Sequence, residues 1–201
     1  MAAQCATESL DNPLWQFAQS FYQYPDVENV LIELQDDHGA DVLLLLAALW
    51  LASEWRQWPE LEHQDFAEYL AWREHVVLPL RQVRRTLPGS SRRGPISPVT
   101  DFRSRVQGIE LEAEQMGLAG LFALIDYEAP AVEPVQDDEE HRAIRQLARQ
   151  NVQDSMNIDE VRVSSGQVRS SVHTLLLALD AYMASIPRQG QLWPDEFPEL
   201  R

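Results

Sequence analysis

The chain of 201 residues contains no lysine: all sixteen basic residues are arginine, set against thirty-two aspartates and glutamates. Arginine pairs bidentately with carboxylates and covers apolar surface with its stem, so the absence of lysine need not weaken a fold. We interpret it as a property of the source genome. The formal net charge of −16 argues against general binding to nucleic acids or anionic membranes, because a field of this sign repels phosphate.

Cysteine, glycine and long apolar runs are also scarce. The single cysteine, Cys5, excludes an internal disulfide, and no electropositive neighbour in the sequence would activate its thiol. Few glycines and no alternating β-branched stretches favour helices over strands. The most apolar run, residues 42–52, is well short of the roughly 20 residues that cross a bilayer. With no secretory signal pattern visible, we expect a cytoplasmic protein without membrane insertion.

Capping residues and helical spacing predict an all-α fold. Asn12 followed by Pro13 is a typical helix start, Gly39 is placed to end the second helix, and Asp41 to cap the third. We predict a compact bundle of about five helices around a central apolar helix at 42–56. The predicted divisions are a flexible N-terminus (1–11), a helical core (12–126), an acidic, proline-containing linker (127–140), a linked C-terminal helical pair (141–185) and an extended tail (186–201).

The fourth and fifth helices carry less regular patterns. The fourth begins near Asp65, and Pro79 is expected to kink it, because proline cannot donate the backbone hydrogen bond of a helix interior. Thr100 is placed to cap the fifth. The spacing predicts an inner face formed by Phe102, Val106, Ile109, Ala113 and Met116.

Positive charge is concentrated in one segment, residues 81–105, whose net charge is +6 between flanking regions of −12 and −10. Arg81, Arg84 and Arg85 share one helix face, and Arg92 and Arg93 follow in a Gly/Ser/Pro loop. One interpretation is favourable placement at a helix C-terminus together with pairing to the chain's many acids. The other is a binding site for an acidic or phosphate-bearing partner.

A second candidate site is an acidic corner at residues 36–41. Asp37, His38 and Asp41, with Asp36 beside them, bring together residue types that bind divalent cations. Their spacing is not that of an EF-hand loop. The alternative is a helix C-terminus, a glycine turn and an N-cap with no metal role.

Catalytic motifs are not found. Glu60 and His63 form a single Glu-x-x-His, whereas a di-iron carboxylate bundle needs two such pairs. The sequence contains no P-loop, nucleophile elbow, dinucleotide-binding fingerprint or Cys-x-x-Cys. We therefore expect no cofactor and lean towards a protein that is not an enzyme.

Two clusters of residues carry a family resemblance over about residues 12–125. The clusters are Leu14-Trp15-x-Phe17-Ala18, Tyr22, Leu34-Gln35, Gly39-x-Asp41-Val42, Leu44-Leu45 and Trp50-Leu51, and then Trp72-Arg73 with Pro79-Leu80-Arg81-x-x-Arg84-Arg85. The pattern resembles a family of small proteobacterial proteins known only as a domain of unknown function. The resemblance implies no established activity, cofactor or catalytic residue.

Three functional hypotheses follow. The first is a non-enzymatic adaptor that contacts a protein partner through residues 81–105. The alternative is a small metal-dependent enzyme or ligand-binding protein centred on the acidic corner. The third is self-association through the exposed side of the C-terminal helix around residues 175–182.

Overall fold

Local capping signals set the first helices where the sequence predicts them. A computed structural model describes residues 10–88, 98–134, 139–158 and 166–186. In it, the Asn12 side chain caps the first helix by accepting a 3.0 Å hydrogen bond from the Trp15 amide. Gly39, with φ of 73°, ends the second helix in the left-handed conformation that glycine adopts without steric cost. The helices are α1 (Pro13–Phe21), α2 (Val27–His38), α3 (Val42–Ser53), α4 (Ala67–Trp72), α5 (Leu78–Thr86), α6 (Pro98–Glu128), α7 (Glu140–Ile158) and α8 (Gly166–Ser185).

Helix α3 is the centre of the molecule, and all twelve of its residues are buried. Helices α1, α2, α6, α7 and α8 pack around it, so the prediction of an all-α bundle with a central apolar helix is confirmed. The helix ends at Ser53 rather than at the predicted residue 56. Trp55 takes the left-handed conformation, and the Arg56 amide turns back to donate to the carbonyl of Leu51 at 2.7 Å.

The predicted fourth helix is a continuous helical stretch over residues 63–86 that combines 3₁₀, α and π turns. A 3₁₀ turn at His63–Phe66 leads into α4, a π turn at Arg73–Val77 follows, and α5 continues from it. The π turn lies directly before Pro79, whose ring would clash with the carbonyl four residues earlier in a regular α-helix. The chain accommodates the proline there.

Helix α6 runs through three glycines without interruption, and its buried face differs from the predicted one. Val106 and Ala113 are buried as expected, but Phe102, Ile109 and Met116 are 49, 51 and 46% exposed. The predicted face was wrong for these three residues because apolar side chains occur on several sides of α6. Spacing alone did not identify the side that meets the core.

The C-terminal helices α7 and α8 belong to the same hydrophobic core as the rest of the bundle. Helix α7 packs along α3, and α8 packs on α2 and α1. Tyr182 of α8 contacts the rings of Phe17, Phe21 and Tyr24. Within the described residues, no helix combines the length and apolar character needed to cross a membrane.

The start of the predicted linker is also engaged with the core. The Gln57 amide donates to the Pro130 carbonyl at 2.9 Å and the Val132 amide to the Trp55 carbonyl at 2.7 Å, which attaches this segment to the residues that follow α3. Residues 1–9 and 187–201, which include most of the predicted N-terminal segment and tail, lie outside the described residues.

Candidate functional site

The arginines of α5 are paired with carboxylates of the same chain. Arg81 donates to Glu110 at 3.1 Å and also contacts Glu114, while Arg84 donates two hydrogen bonds to Glu110. Arg85, on the outer side, pairs with Asp36 of α2. Arg92 and Arg93, predicted with them, lie outside the described residues. The three described arginines therefore attach α5 to α6 and α2.

The centre of this network is the carboxylate of Glu110, which is buried at the α5–α6 contact. Burial alone would raise its pKa, but the hydrogen bonds from Arg84 and Arg81 hold the pKa of Glu110 below its ordinary value. Burial raises the pKa of Glu114 despite the attraction of Arg81. Of the two glutamates, Glu110 is therefore the one whose negative charge the arginines of α5 stabilise.

The lowered pKa of Glu110 predicts a pH-dependent contribution to stability. A carboxyl group whose pKa falls on folding stabilises the fold above its unfolded value, about 4.3, and loses that contribution as the pH drops through the folded value. We expect Glu110→Gln to lower the free energy of unfolding at pH 7, and the difference from wild type to shrink towards pH 3. Urea titrations across this range measure it. Glu112→Gln, at an exposed position two residues away, is the control and should show no such convergence.

The residues of the predicted acidic corner point to different partners. The buried carboxylate of Asp41 accepts hydrogen bonds from the Leu43 amide at 3.0 Å and the Tyr69 hydroxyl at 2.6 Å, and lies 2.8 Å from Arg73 Nε. Asp37 is exposed, and His38 Nε2 is buried without a hydrogen-bond partner among the residues that the structure describes. Within the described residues, no three or more His, Cys, Asp or Glu side chains are arranged to hold a metal ion. Asp41 is instead an N-cap that anchors α4 to α3.

An exposed apolar row lies along one side of α6. Phe102, Ile109 and Met116 repeat every seven residues, which brings them to one side of the helix. Gly120 and Leu124 follow Met116 at intervals of four and extend the row. We call these five residues the α6 stripe. Its first three members were predicted to lie in the core, although their heptad spacing is visible in the sequence.

The C-terminal end of the α6 stripe lies in a groove against α4, with a cavity volume of about 340 Å³. Its walls are fixed, because the Tyr69 hydroxyl donates to Asp41 and Trp72 Nε1 donates to the Ala113 carbonyl at 2.9 Å. Outside the neighbouring backbone of α6, a Cβ atom at Gly120 would meet no atom of the described residues within 4 Å, so the groove is open above this residue. The lining residues are Asp65, Glu68, Tyr69, Trp72, Met116, Gly117, Gly120 and Leu124.

Gly117, beside this opening, has a packing role. A Cβ atom there would lie 3.2 Å from the Leu43 side chain and 3.6 Å from Trp72 and Tyr69. The missing side chain lets α6 approach α3 and α4 closely, which brings the two walls of the groove together.

Comparison with known proteins identifies the family. The family model described as "Protein of unknown function (DUF2390)" matches residues 13–121, from the first residue of α1 to well within α6. The chain belongs to this family. The matched region includes the whole α4–α5 segment and most of the α6 stripe. No curated protein and no solved structure matches the chain.

Proposed function

We propose that this protein is a non-enzymatic interaction protein of the cytoplasm, which binds a protein partner along the α6 stripe. The supporting observation is the heptad row of half-exposed Phe102, Ile109 and Met116 running into the groove beside α4. Exposed apolar surface of this kind marks interaction sites in soluble proteins. The arginines of α5 are not the proposed contacts, because they are already paired with Glu110, Glu114 and Asp36.

The partner segment that fits is an amphipathic helix with basic flanks. Heptad spacing suits a second helix, whose apolar side chains would lie along the stripe and enter the groove. The exposed carboxylates of Asp65 and Glu68 at the groove would pair with arginines or lysines of the partner. A second copy of this chain, with its net charge of −16, is a poor match. The chain's own residues 187–201 carry three acids and two arginines and are no better suited.

A crosslinked pull-down with quantitative mass spectrometry tests this proposal. We expect wild-type protein to retain a partner whose crosslinked segment is a basic amphipathic helix. Ile109→Glu should reduce its recovery by about tenfold or more, because a charge would enter the apolar contact.

Leu111→Glu is the matched control for this experiment. Leu111 lies on the same helix, is 52% exposed compared with 51% for Ile109, and is not part of the stripe. It should leave recovery unchanged, with both variants checked for folding by circular dichroism and thermal unfolding. Equal recovery of all partners by wild type and Ile109→Glu would contradict the proposal.

A further inference from the structure

A second groove lies between α7 and α8, on surface that the α6 stripe does not reach. Its cavity volume is about 340 Å³, near the lower limit for small-molecule sites. Buried Val152, Val172 and Leu176 form an apolar floor. Its polar lining consists of Arg149 and Gln153 from α7 and Arg169 and His173 from α8.

The two arginines of this groove differ from those of α5. Arg81, Arg84 and Arg85 are each paired with a carboxylate, whereas Arg149 and Arg169 make no ion pair or hydrogen bond among the described residues. What sets Arg149 and Arg169 apart from the other arginines without such a partner is that they line the same groove. They present donors that match carboxylate and phosphate oxygens.

The position of Arg169 strengthens this contrast. It lies in the first turn of α8, where the helix dipole favours acidic residues, and no acid occupies that turn. The cation and the helix N-terminus both contribute positive potential there, while Glu33 of α2 accepts a 2.8 Å hydrogen bond from Gln167 in the same turn. The residues of α7 and α8 include four arginines and three acids.

We propose that this groove binds a small organic anion with an apolar portion. The guanidinium groups of Arg149 and Arg169 would hold a carboxylate or phosphate, with His173 and Gln153 offering further hydrogen bonds. The apolar portion would cover Val152, Val172 and Leu176. Such a ligand is compatible with the small volume of the groove and with its division into a charged rim and an apolar floor.

Titration calorimetry of the full chain tests this site with hexyl phosphate and hexanoate as probes. Inorganic phosphate and hexanol supply the anion and the apolar portion separately. We expect saturable binding of at least one probe, at least about tenfold tighter than either half alone. If only hexyl phosphate binds, the site is assigned to phosphate monoesters. If only hexanoate binds, it is assigned to carboxylates.

Charge-matched variants distinguish the groove from general attraction. Arg149→Gln with Arg169→Gln should weaken binding by about tenfold or more, since both anion contacts are removed. Arg105→Gln with Arg142→Gln removes the same charge at exposed positions outside the groove and should leave binding unchanged. The proposal is overturned if neither probe binds up to about 5 mM, if inorganic phosphate binds as tightly as hexyl phosphate, or if the two double variants weaken binding equally.

Discussion

Asp41→Ala is expected to lower the free energy of unfolding by about 3 kcal/mol. Removing one member of a buried ion pair leaves the other partly uncompensated, and the loss of an N-cap adds to that cost. In this protein the carboxylate also accepts the hydrogen bond of the Tyr69 hydroxyl, which is buried with it. The substitution therefore affects the cap of α3 and the attachment of α4 at once. Urea denaturation followed by circular dichroism measures the change.

Two further variants separate these contributions. Asp41→Asn keeps a side chain suited to the N-cap and should cost less than alanine, because it removes only the charge. Asp37→Ala alters an exposed acid of the same corner and should change stability by no more than about 0.5 kcal/mol. Similar, small effects of Asp41→Ala and Asp37→Ala would show that Asp41 does not anchor α4.

Asn151→Leu is expected to be comparably destabilising, also by about 3 kcal/mol. Asn151 is fully buried and accepts a 2.8 Å hydrogen bond from the Trp58 amide. Its amide group donates to the carbonyl oxygens of Arg56 at 2.9 Å and Ala48 at 3.3 Å. Leucine fills similar space but leaves buried polar groups without partners, at roughly 1–3 kcal/mol for each group.

The matched control is Asn157→Leu, the same substitution at an exposed position on α7. It should leave the urea midpoint close to that of wild type. Hydrogen exchange provides a local measurement. Compared with wild type, the Trp58 amide should exchange faster in Asn151→Leu and at the same rate in Asn157→Leu. Slow exchange of that amide in Asn151→Leu would mean that Asn151 does not protect it.

The parts of the fold that depend on residues close together in the sequence were predictable from it. Asn12, Gly39 and Asp41 act within a few residues of their own position, so their capping roles can be read from local chemistry. The central helix was equally clear, because its apolar residues leave no side suited to water. The confirmed all-α architecture follows from these local signals, and the family membership is shown by the family model that matches residues 13–121.

The remaining features depend on contacts between distant residues. Arg81 meets Glu110 across 29 positions, and Asn151 meets the Trp58 amide across 93. Nothing in the sequence near an arginine shows which acid lies opposite it in space. For the same reason the sequence left open whether the α5 cluster was internally paired. It also could not show that Arg149 and Arg169, on different helices, line one groove.

The most direct test of the α6 stripe adds bulk without charge. Gly120→Leu and Gly108→Leu make the same change on α6, and a Cβ atom at either position meets no described atom within 4 Å other than the adjacent helix backbone. Both replace a helical glycine and gain similar helix propensity, but only residue 120 lines the groove. We would measure the affinity of each variant for the partner recovered by wild type. We expect Gly120→Leu to lose about tenfold or more in affinity while Gly108→Leu binds as wild type does. If the two variants bind with equal affinity, the partner does not occupy the groove at the α6 stripe.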